Sequence, residues 1–328
     1  MRQNRAFPWA NVLILWLVPV AAPARESLRL ESSVEAMGTT FTIVAFGEDR
    51  ARLEAALEES FDEVRRLDNL LSNYKPQSEW SRMNREAANG PVQVSQELFD
   101  LVEACQRYSQ WSEGAFDITV GPLLKIWGFY KGSGRLPHRA EIRTAMASVG
   151  YHLVELNPAK HSVKFKRAGV ELDPGGIGKG MAVDKLAEIL RHNGIGSALV
   201  SAGGSTIYGL GVPPGEAGWK VKIRHPKIEG RYVEDLVLKN LSMSTSGTSE
   251  KFFISGGKLY SHIFDPRTGF PAQGMLSVSV TAPRALDSEA WTKPAFINGR
   301  AWAQAHKPAQ ARVFLCEDRL EIACAWLQ

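Results

Sequence analysis

The sequence has few cysteines, only a small excess of charge of one sign, and no long hydrophobic run. Its 328 residues include three cysteines. Their spacing indicates neither a zinc site nor a disulfide framework, although an oxidising compartment would allow one pair to form. The formal net charge of +4 is too small to predict a surface for polyanions, so nucleic acid is not an expected partner. No internal repeat or low-complexity segment divides the chain, and its 44% hydrophobic content is enough for a substantial core.

The apolar run near the N-terminus, residues 12–20, is shorter than the ~20 residues that a membrane span requires. It follows the basic residues of segment 1–5 and precedes the small-residue pattern APA at 22–24. This order is typical of a secretory signal peptide. We therefore expect cleavage after Ala24 and a periplasmic mature chain that forms one domain over 25–328. The alternative is an uncleaved signal that anchors the protein in the inner membrane.

Hydrophobic periodicity predicts helices interspersed with short strands. Apolar residues recur every three or four positions over 50–71 and 98–111, which is the spacing of one helix face. Alternation of polar and apolar residues predicts a first strand over 34–46, and a polar loop is expected over 72–84. Further strands are predicted between glycine and proline turns at 197–201, 219–224, 235–241, 251–254, 276–281, 312–316 and 320–326. Helices that flank mainly antiparallel strands give an α+β fold.

Residues 173–184 form the most informative segment, with four glycines and a lysine in DPGGIGKGMAVD. Extended residues precede this glycine loop, and a helical pattern follows it as far as a stop signal at 193–194. Backbone N–H groups of a glycine loop at the start of a helix attract anions, and Lys179 adds a mobile positive charge. The loop lacks the residues of a Walker A motif and the spacing of a dinucleotide-binding fingerprint. It predicts another kind of phosphate site, or else only a tight turn.

Four other clusters combine a glycine with short polar side chains, as loops that contact ligands often do. They lie at 37–40, 114–129, 244–248 and 261–269. Each also has a purely structural interpretation. Asp117 would cap local amides, His262 would be an ordinary structural histidine, and 265–269 is a good turn sequence. Taken singly, none of the clusters decides between the two roles.

Taken in order, the clusters resemble the FAD:protein FMN transferase family, also called the ApbE family. The resemblance runs from about residue 34 to residue 303. The matching segments are MGT at 37–39, LSNY at 71–74 with Ser78 and Asn84, GAFD at 114–117 through WGF at 127–129, the glycine loop, AGG at 202–204, Ser246 with Gly247, and SHIFDPRTG at 261–269. The resemblance implies an ApbE-like fold that binds FAD in a cleft between two closely packed parts.

The resemblance also implies a reaction and the residues that serve it. Enzymes of this family cleave the pyrophosphate of FAD, attach FMN through a phosphoester to a Ser or Thr of a partner protein, and release AMP. Carried over to this sequence, the FAD contacts fall on Met37, Tyr74, Ala115, Phe116, Asp117, Asp173, Lys179 and Ile263. Tyr74 and Phe116 offer surface for a flavin or adenine ring, and Lys179 suits the pyrophosphate. His262 is the expected base for the acceptor hydroxyl.

The sequence departs from the family at the catalytic Mg²⁺ site. The family's metal ligands come from the glycine loop, here at Gly176, and from an Asp-x-x-x-Thr pattern upstream of a glycine. Counted back from Gly299, the Asp and Thr positions hold Glu289 and Lys293. Glu289 keeps a hard carboxylate oxygen, and Thr292, one position early, would add a hydroxyl. Either these oxygens bind Mg²⁺ while Lys293 assists with phosphate charge, or the metal site is lost.

The expected partners also follow from the resemblance. FAD is the substrate, and the acceptor is expected to be a redox protein or a membrane-associated subunit of a respiratory complex, which would bring the enzyme to the inner membrane. A chain without the metal site would instead be a non-catalytic FAD carrier or assembly factor of a periplasmic electron-transfer complex. A periplasmic solute-binding protein without flavin is the third alternative.

Overall fold

The computed structural model describes residues 27–132 and 134–328. The predicted signal peptide, residues 1–24, lies outside this part of the chain. Within the described residues, none of the helices is both long enough and apolar enough to cross a membrane.

The helices confirm the main periodic patterns of the sequence. The α-helices of the described residues are α1 (Arg50–Leu71), α2 (Glu79–Glu86), α3 (Gln96–Trp111), α4 (Gly121–Ile126), α5 (Arg139–Met146), α6 (Gly178–His192) and α7 (Ala285–His306). Helices α1 and α3 match the predicted pair, and α6 follows the glycine loop as expected. The Asp49 side chain caps α1 by accepting from the Arg52 N–H at 3.2 Å. Helix α7 continues through Pro294 and bends at Gly299, whose φ of 78° is not helical.

The strands pair in antiparallel fashion throughout the described residues. They are β1 (Leu28–Ala36), β2 (Thr39–Gly47), β3 (Val92–Gln93), β4 (Val154–Asn157), β5 (Ser162–Phe165), β6 (Ser197–Ala202), β7 (Thr206–Leu210), β8 (Trp219–Arg224), β9 (Tyr232–Leu238), β10 (Leu241–Gly247), β11 (Phe252–Ser255), β12 (Lys258–Ser261), β13 (Phe264–Asp265), β14 (Phe270–Pro271), β15 (Met275–Ala282), β16 (Arg312–Glu317) and β17 (Ala323–Trp326). Eight of them form the main sheet in the order β1-β2-β6-β7-β10-β15-β16-β17. The predicted α+β class is confirmed.

The main sheet separates two hydrophobic layers. On one face, Phe41 and Ile43 of β2 are fully buried together with residues of α1, α6 and α7. On the other face, Val44 packs in a second cluster that includes Trp219 and Leu238 of the β8–β9 hairpin. Because both faces are covered, all eight residues of the central strand β15 are buried. Removing this apolar surface from water is the main force that holds the layers together.

Several predicted elements differ from those in the structure. The single strand expected over 34–46 is wrong, because β1 and β2 are joined by a tight turn at Met37 and Gly38, with φ values of 52° and 70°. The loop expected over 72–84 contains the start of α2, which Ser78 caps by accepting from the Ser81 N–H at 2.9 Å. The cluster at 244–248 lies mostly in strand β10 rather than in a loop.

The cysteines have two different environments. Cys105 is a free, buried thiol on α3, as its apolar helix face predicts. Cys316 and Cys324 form a disulfide between the neighbouring strands β16 and β17. The spacing of the cysteines in the sequence does not single out this pair.

Candidate functional site

A cleft of about 880 Å³ gathers segments that are far apart in the sequence. Loops from the first hairpin, the glycine loop, the ends of central strands and helix α7 all contribute to its walls. Every candidate residue from the sequence lines this cleft: Met37, Tyr74, Ala115, Phe116, Asp117, Asp173, Gly176, Lys179, His262, Ile263, Glu289 and Thr292. The fold therefore brings the predicted flavin, phosphate and metal positions into one continuous space.

The turn between β1 and β2 brings Met37 to the glycine loop. The Met37 N–H donates to the Asp68 Oδ1 at 2.9 Å, which holds the residue in its left-handed conformation. A Cβ atom on Gly178 would lie 3.2 Å from the Met37 methyl carbon, so the two segments are in close contact. The glycine leaves room for the methionine side chain at the start of α6.

The start of α6 combines a lysine with a helix end whose N-cap residue has no capping side chain. Its N-cap residue, Ile177, provides no side-chain acceptor for the first backbone N–H groups. Lys179 lies in the first turn and donates from Nζ to the Ser205 hydroxyl at 2.5 Å. Gly180 permits close packing, because a Cβ atom there would lie 2.6 Å from the Ala285 carbonyl oxygen. The positive end of the helix dipole and an ammonium group thus face the same cleft, where the Glu289 carboxylate already accepts from the Gly180 N–H.

A half-buried carboxylate anchors the beginning of the glycine loop. Asp173 accepts at Oδ2 from the Asn73 amide and the Tyr130 hydroxyl, each at 2.9 Å, and at Oδ1 from the Gly175 N–H at 2.9 Å. Burial raises the pKa of Asp173, and these three hydrogen bonds oppose the shift. The Tyr74 ring lies 5.8 Å from the Tyr130 ring and is 71% exposed. The network joins three loops and leaves an aromatic side chain open at the mouth of the cleft.

Asp117 has the structural role that its sequence context left open. Its Oδ1 accepts from the Thr119 N–H and hydroxyl at 2.8 Å each, and its Oδ2 accepts from the Tyr151 N–H at 2.6 Å. Burial raises the pKa of this carboxyl group, and its hydrogen bonds partly offset the effect. Both oxygens are occupied by protein donors, so Asp117 fixes the turn that presents Ala115 and Phe116. The Phe116 ring reaches the glycine loop and packs edge-on against another aromatic ring.

The hydrogen bond made by His262 determines its tautomer. Its Nδ1 lies 3.1 Å from the Lys251 carbonyl oxygen, which can only accept. The proton of the neutral ring is therefore assigned to Nδ1, and Nε2 keeps its lone pair. Burial lowers the pKa of His262 from its ordinary value, which favours the neutral ring at pH 7. The adjacent Ile263 is 6% exposed, and its carbonyl accepts from the Ala272 N–H at 2.8 Å.

Two of the three predicted metal ligands, Glu289 and Thr292, already make hydrogen bonds within the protein. Glu289 is 2% exposed, and its Oε2 accepts from the Gly180 N–H at 2.5 Å. The Thr292 hydroxyl donates to the Glu289 carbonyl and pairs with the Ser246 hydroxyl, both at 2.7 Å. Among the residues that the structure describes, no group of three or more His, Cys, Asp and Glu side chains could hold a metal ion.

Lys293 places an ammonium group among these oxygens. Its Nζ donates to the Glu289 carbonyl at 2.9 Å and lies 3.9 Å from the Glu289 Oε1. Its Cε lies 3.3 Å from the position that a Cβ atom on Gly176 would take, so the side chain crosses from α7 to the glycine loop. Burial lowers the pKa of Lys293 to about 8, which keeps it mainly protonated at pH 7. As arranged, these residues do not fit a divalent cation.

The model of the ApbE family matches residues 37–314, which is most of the chain. The chain belongs to the ApbE family. Among curated relatives, a FAD:protein FMN transferase of Treponema pallidum is 33% identical over 76% of this chain and 73% of its own length. The FAD:protein FMN transferase of Salmonella typhimurium is 32% identical over 87% of this chain and 81% of its own length.

Solved structures agree with this ApbE assignment. The crystal structure of the ApbE protein from Thermotoga maritima superposes with a TM-score of 0.82 at 29% identity, covering 90% of this chain and 96% of that one. The apo flavinyl transferase ApbE of Pseudomonas stutzeri gives a TM-score of 0.82 at 25% identity, covering 92% and 95%. The ApbE-like fold expected from the sequence is confirmed.

Some residues of the ApbE cleft were not among the candidates from the sequence. Tyr130 follows the WGF segment directly, and Asn73 lies within LSNY, so both had a signal in the matching motifs. Lys222 and Arg224 reach the cleft from the end of strand β8. Apolar and basic residues alternate along β8 as in any strand with one exposed face, so only the three-dimensional structure shows that Lys222 and Arg224 reach the cleft.

Proposed function

We propose that this chain is a FAD:protein FMN transferase, which moves FMN from FAD to a Ser or Thr hydroxyl of a partner protein and releases AMP. The observation that carries the proposal is the cleft in which aromatic surface, a glycine loop with Lys179, and His262 occur together. Membership in the ApbE family supports the same reaction. The relatives named above carry this activity in their names.

The proposed roles follow the chemistry of each side chain. Tyr74 and Phe116 would contact the flavin or adenine ring. Met37, Ala115, Asp117, Asp173 and Ile263 would complete the FAD site, some of them through the loops that they fix. Lys179 and the start of α6 would bind the pyrophosphate. Such contacts orient the FMN phosphorus for attack, which supplies much of the catalysis in phosphoryl transfer.

His262 is the proposed general base. Its Nε2 would take the proton from the acceptor hydroxyl while the hydroxyl oxygen forms its bond to the FMN phosphorus. The bond from that phosphorus to the bridging oxygen breaks, and the electron pair leaves with AMP. The Lys251 carbonyl keeps the ring in the tautomer that this role requires.

Binding of Mg²⁺ to this chain remains a prediction. A divalent ion, if bound, would neutralise charge on the pyrophosphate. Gly176, Glu289 and Thr292 are the residues predicted to bind it, but Lys293 would first have to move away. The lysine side chains of the cleft therefore have to be considered as the source of its positive charge.

We further propose that residues 25–328 act as one exported domain in the periplasm, on a redox protein or a membrane-associated subunit of a respiratory complex. The sequence pattern at 1–24 supports export. Mass spectrometry of the protein purified from its native cells tests this proposal. A mature N-terminus at Arg25 in the periplasmic fraction is expected, whereas an intact N-terminus in the membrane fraction would indicate the uncleaved anchor.

Transfer itself is tested by mixing the protein from Arg25 onwards with FAD and an acceptor domain that the Salmonella typhimurium relative modifies in a parallel reaction. The expected result is flavin fluorescence on the acceptor in a denaturing gel, with release of an equal amount of AMP. Tight FAD binding without labelled acceptor or AMP would favour the non-catalytic FAD carrier. Failure to bind FAD at all would contradict both functions.

A further inference from the structure

Two lysines and one glutamate lie beside the glycine loop where α6 meets α7. Lys179 comes from the start of α6, and Lys293 comes from α7 together with Glu289. The Lys293 side chain is 19% exposed and that of Glu289 is 3% exposed, so both charges are largely removed from water. One carboxylate balances one ammonium, so these three groups carry one positive charge in excess, whereas Glu250 and Asp173 bring negative charge to other walls of the same cleft. An anion is therefore favoured locally, between the two lysines.

The ammonium of Lys293 also has unused hydrogen-bonding capacity. A lysine ammonium has three N–H donors, and the one described hydrogen bond goes to the Glu289 carbonyl. The Glu289 Oε1 is too distant for a hydrogen bond, at 3.9 Å. The group lines the same cleft as Lys179, and its stem packs over Gly176. It therefore has donors for a phosphate oxygen next to the glycine loop.

A divalent cation at this place would have to overcome a like charge. Mg²⁺ requires about six oxygen ligands at 2.0–2.1 Å, usually including carboxylates. Glu289 is the single carboxylate among the predicted ligands, and one of its oxygens accepts from the Gly180 N–H. Repulsion between Mg²⁺ and a nearby ammonium is strong where both are shielded from water. The ammonium and the ion are thus alternatives rather than partners.

We propose that the Lys293 ammonium replaces the divalent ion in this chain, so that flavin transfer proceeds without a divalent metal. The inference rests on the proposed transferase function and assigns the source of its positive charge. Glu289 positions the ammonium over Gly176. Lys179 and Lys293 bind the pyrophosphate from two helices.

The reaction balances with this assignment. The acceptor oxygen bonds to the FMN phosphorus, and its proton moves to the His262 Nε2. The phosphorus–bridging oxygen bond breaks, and AMP leaves with the electron pair. Lys293 stays protonated throughout and donates a hydrogen bond to a phosphate oxygen, where charge develops in the transition state.

The first test compares transfer rates in EDTA and in Mg²⁺, using the same acceptor domain and the Salmonella typhimurium relative as a parallel enzyme. The expected rate for this chain is the same in both buffers. Lys293→Met should lose about 10²–10³-fold in kcat, as removal of one charge-stabilising donor does elsewhere, and Mg²⁺ should not restore it. Lys185→Met removes an exposed lysine of α6 and should keep the parental rate. Transfer by the unmodified chain that occurs only with Mg²⁺ would overturn the inference but leave the transferase function standing.

The second test does not depend on activity. Mn²⁺ binding to the FAD-loaded protein is followed by electron paramagnetic resonance, because bound Mn²⁺ loses the signal of the free ion. The unmodified chain and Lys293→Arg should leave Mn²⁺ free, since both keep the positive charge. Glu289→Asp/Lys293→Thr recreates the family's Asp-x-x-x-Thr pattern and should bind Mn²⁺, with transfer that now requires a divalent ion. Stoichiometric Mn²⁺ binding by the unmodified chain would contradict the replacement, even if no acceptor is labelled.

Discussion

Two features of His262 set the expected pH dependence of the transfer rate: the hydrogen bond to the Lys251 carbonyl and the burial of the ring. The Lys251 carbonyl leaves the lone pair on Nε2, and burial lowers the pKa of the ring. Glu250 opposes this shift, whereas the positive charges of Lys251 and Lys293 reinforce it. A base must be neutral to accept a proton, so the loss of activity at acidic pH should follow this lowered pKa.

His262→Ala should reduce the transfer rate by about 10²–10⁴-fold, the usual contribution of a general base. The pH profile of kcat/KM checks the role. The parental enzyme should keep its rate at pH 7 and lose it below the ordinary histidine pKa near 6.5, and this acid limb should be absent from the residual activity of the variant. His192→Ala, an exposed histidine at the end of α6, is the matched control. A variant that keeps the parental rate would exclude His262 as the base.

Single residues also show what the sequence could and could not predict about the site. Lys293 was located by counting back from Gly299 in the family's pattern, which depends on sequence spacing alone. The contact of Asp173 with Asn73 and Tyr130 joins three separate loops. No local pattern encodes such a contact, although each residue lies in or beside a matching motif. Likewise, only the structure shows that Asp117 caps the turn, because its carboxylate accepts from three donors of Thr119 and Tyr151.

At the scale of elements, the packing of α6 against α7 positions both cleft lysines. Gly180 permits this close approach, since a Cβ atom would lie 2.6 Å from the Ala285 carbonyl and 2.9 Å from the Leu286 Cα. These neighbours are backbone atoms, so they cannot move aside as a side chain would. Gly180→Ala should therefore push the helices apart and also disturb the Gly180 N–H bond to Glu289.

The expected cost of Gly180→Ala is about 1–3 kcal/mol in the free energy of unfolding, the typical range for overpacking. Chemical denaturation followed by circular dichroism measures this cost. Gly196→Ala is the matched control, because a Cβ atom there would meet nothing within 4 Å and the residue has no positive φ. Equal stability of the two variants would show that the helices can separate without cost.

The missed elements have identifiable causes. Helix α7 contains Pro294 and Gly299, which are normally signs of a helix end, yet it bends and continues. The β1–β2 hairpin escaped detection because the alternation of residues runs through a turn whose first residue is Met37 rather than a common turn former. By contrast, α1 and α6 have an uninterrupted helical period and clear end signals, which made them predictable.

The β16–β17 disulfide should stabilise the end of the sheet. It closes a short loop, with a sequence separation of 8 between Cys316 and Cys324. Loss of chain entropy in the unfolded state gives an upper value of about 2–3 kcal/mol for such a loop. Reduction should lower the free energy of unfolding by up to this amount, measured with and without reductant. Cys316→Ser/Cys324→Ser is the control and should not respond to reductant, because the remaining Cys105 is buried.

For the whole molecule, binding and folding are closely linked because the cleft is assembled from most of the chain. Its lining extends from Met37 in the first hairpin to Ile297 in the last helix. The sequence predicted that these segments meet in one cleft, because its motifs occur in the same order as those of the ApbE family. The strand order of the main sheet was not readable, because each pairing joins segments that are distant in sequence and local alternation does not name a partner.

A ligand that spans such a cleft should stabilise the entire fold. FAD at about 100 times its dissociation constant would add about 2.7 kcal/mol, if the unfolded chain does not bind it. Thermal unfolding by far-ultraviolet circular dichroism should therefore show a concentration-dependent rise in Tm with FAD, and a smaller rise with riboflavin, which lacks phosphate. Lys179→Met should reduce the rise with FAD and leave that with riboflavin unchanged, whereas Lys185→Met should affect neither. Equal shifts for FAD and riboflavin in the parental protein would contradict a phosphate site at the glycine loop.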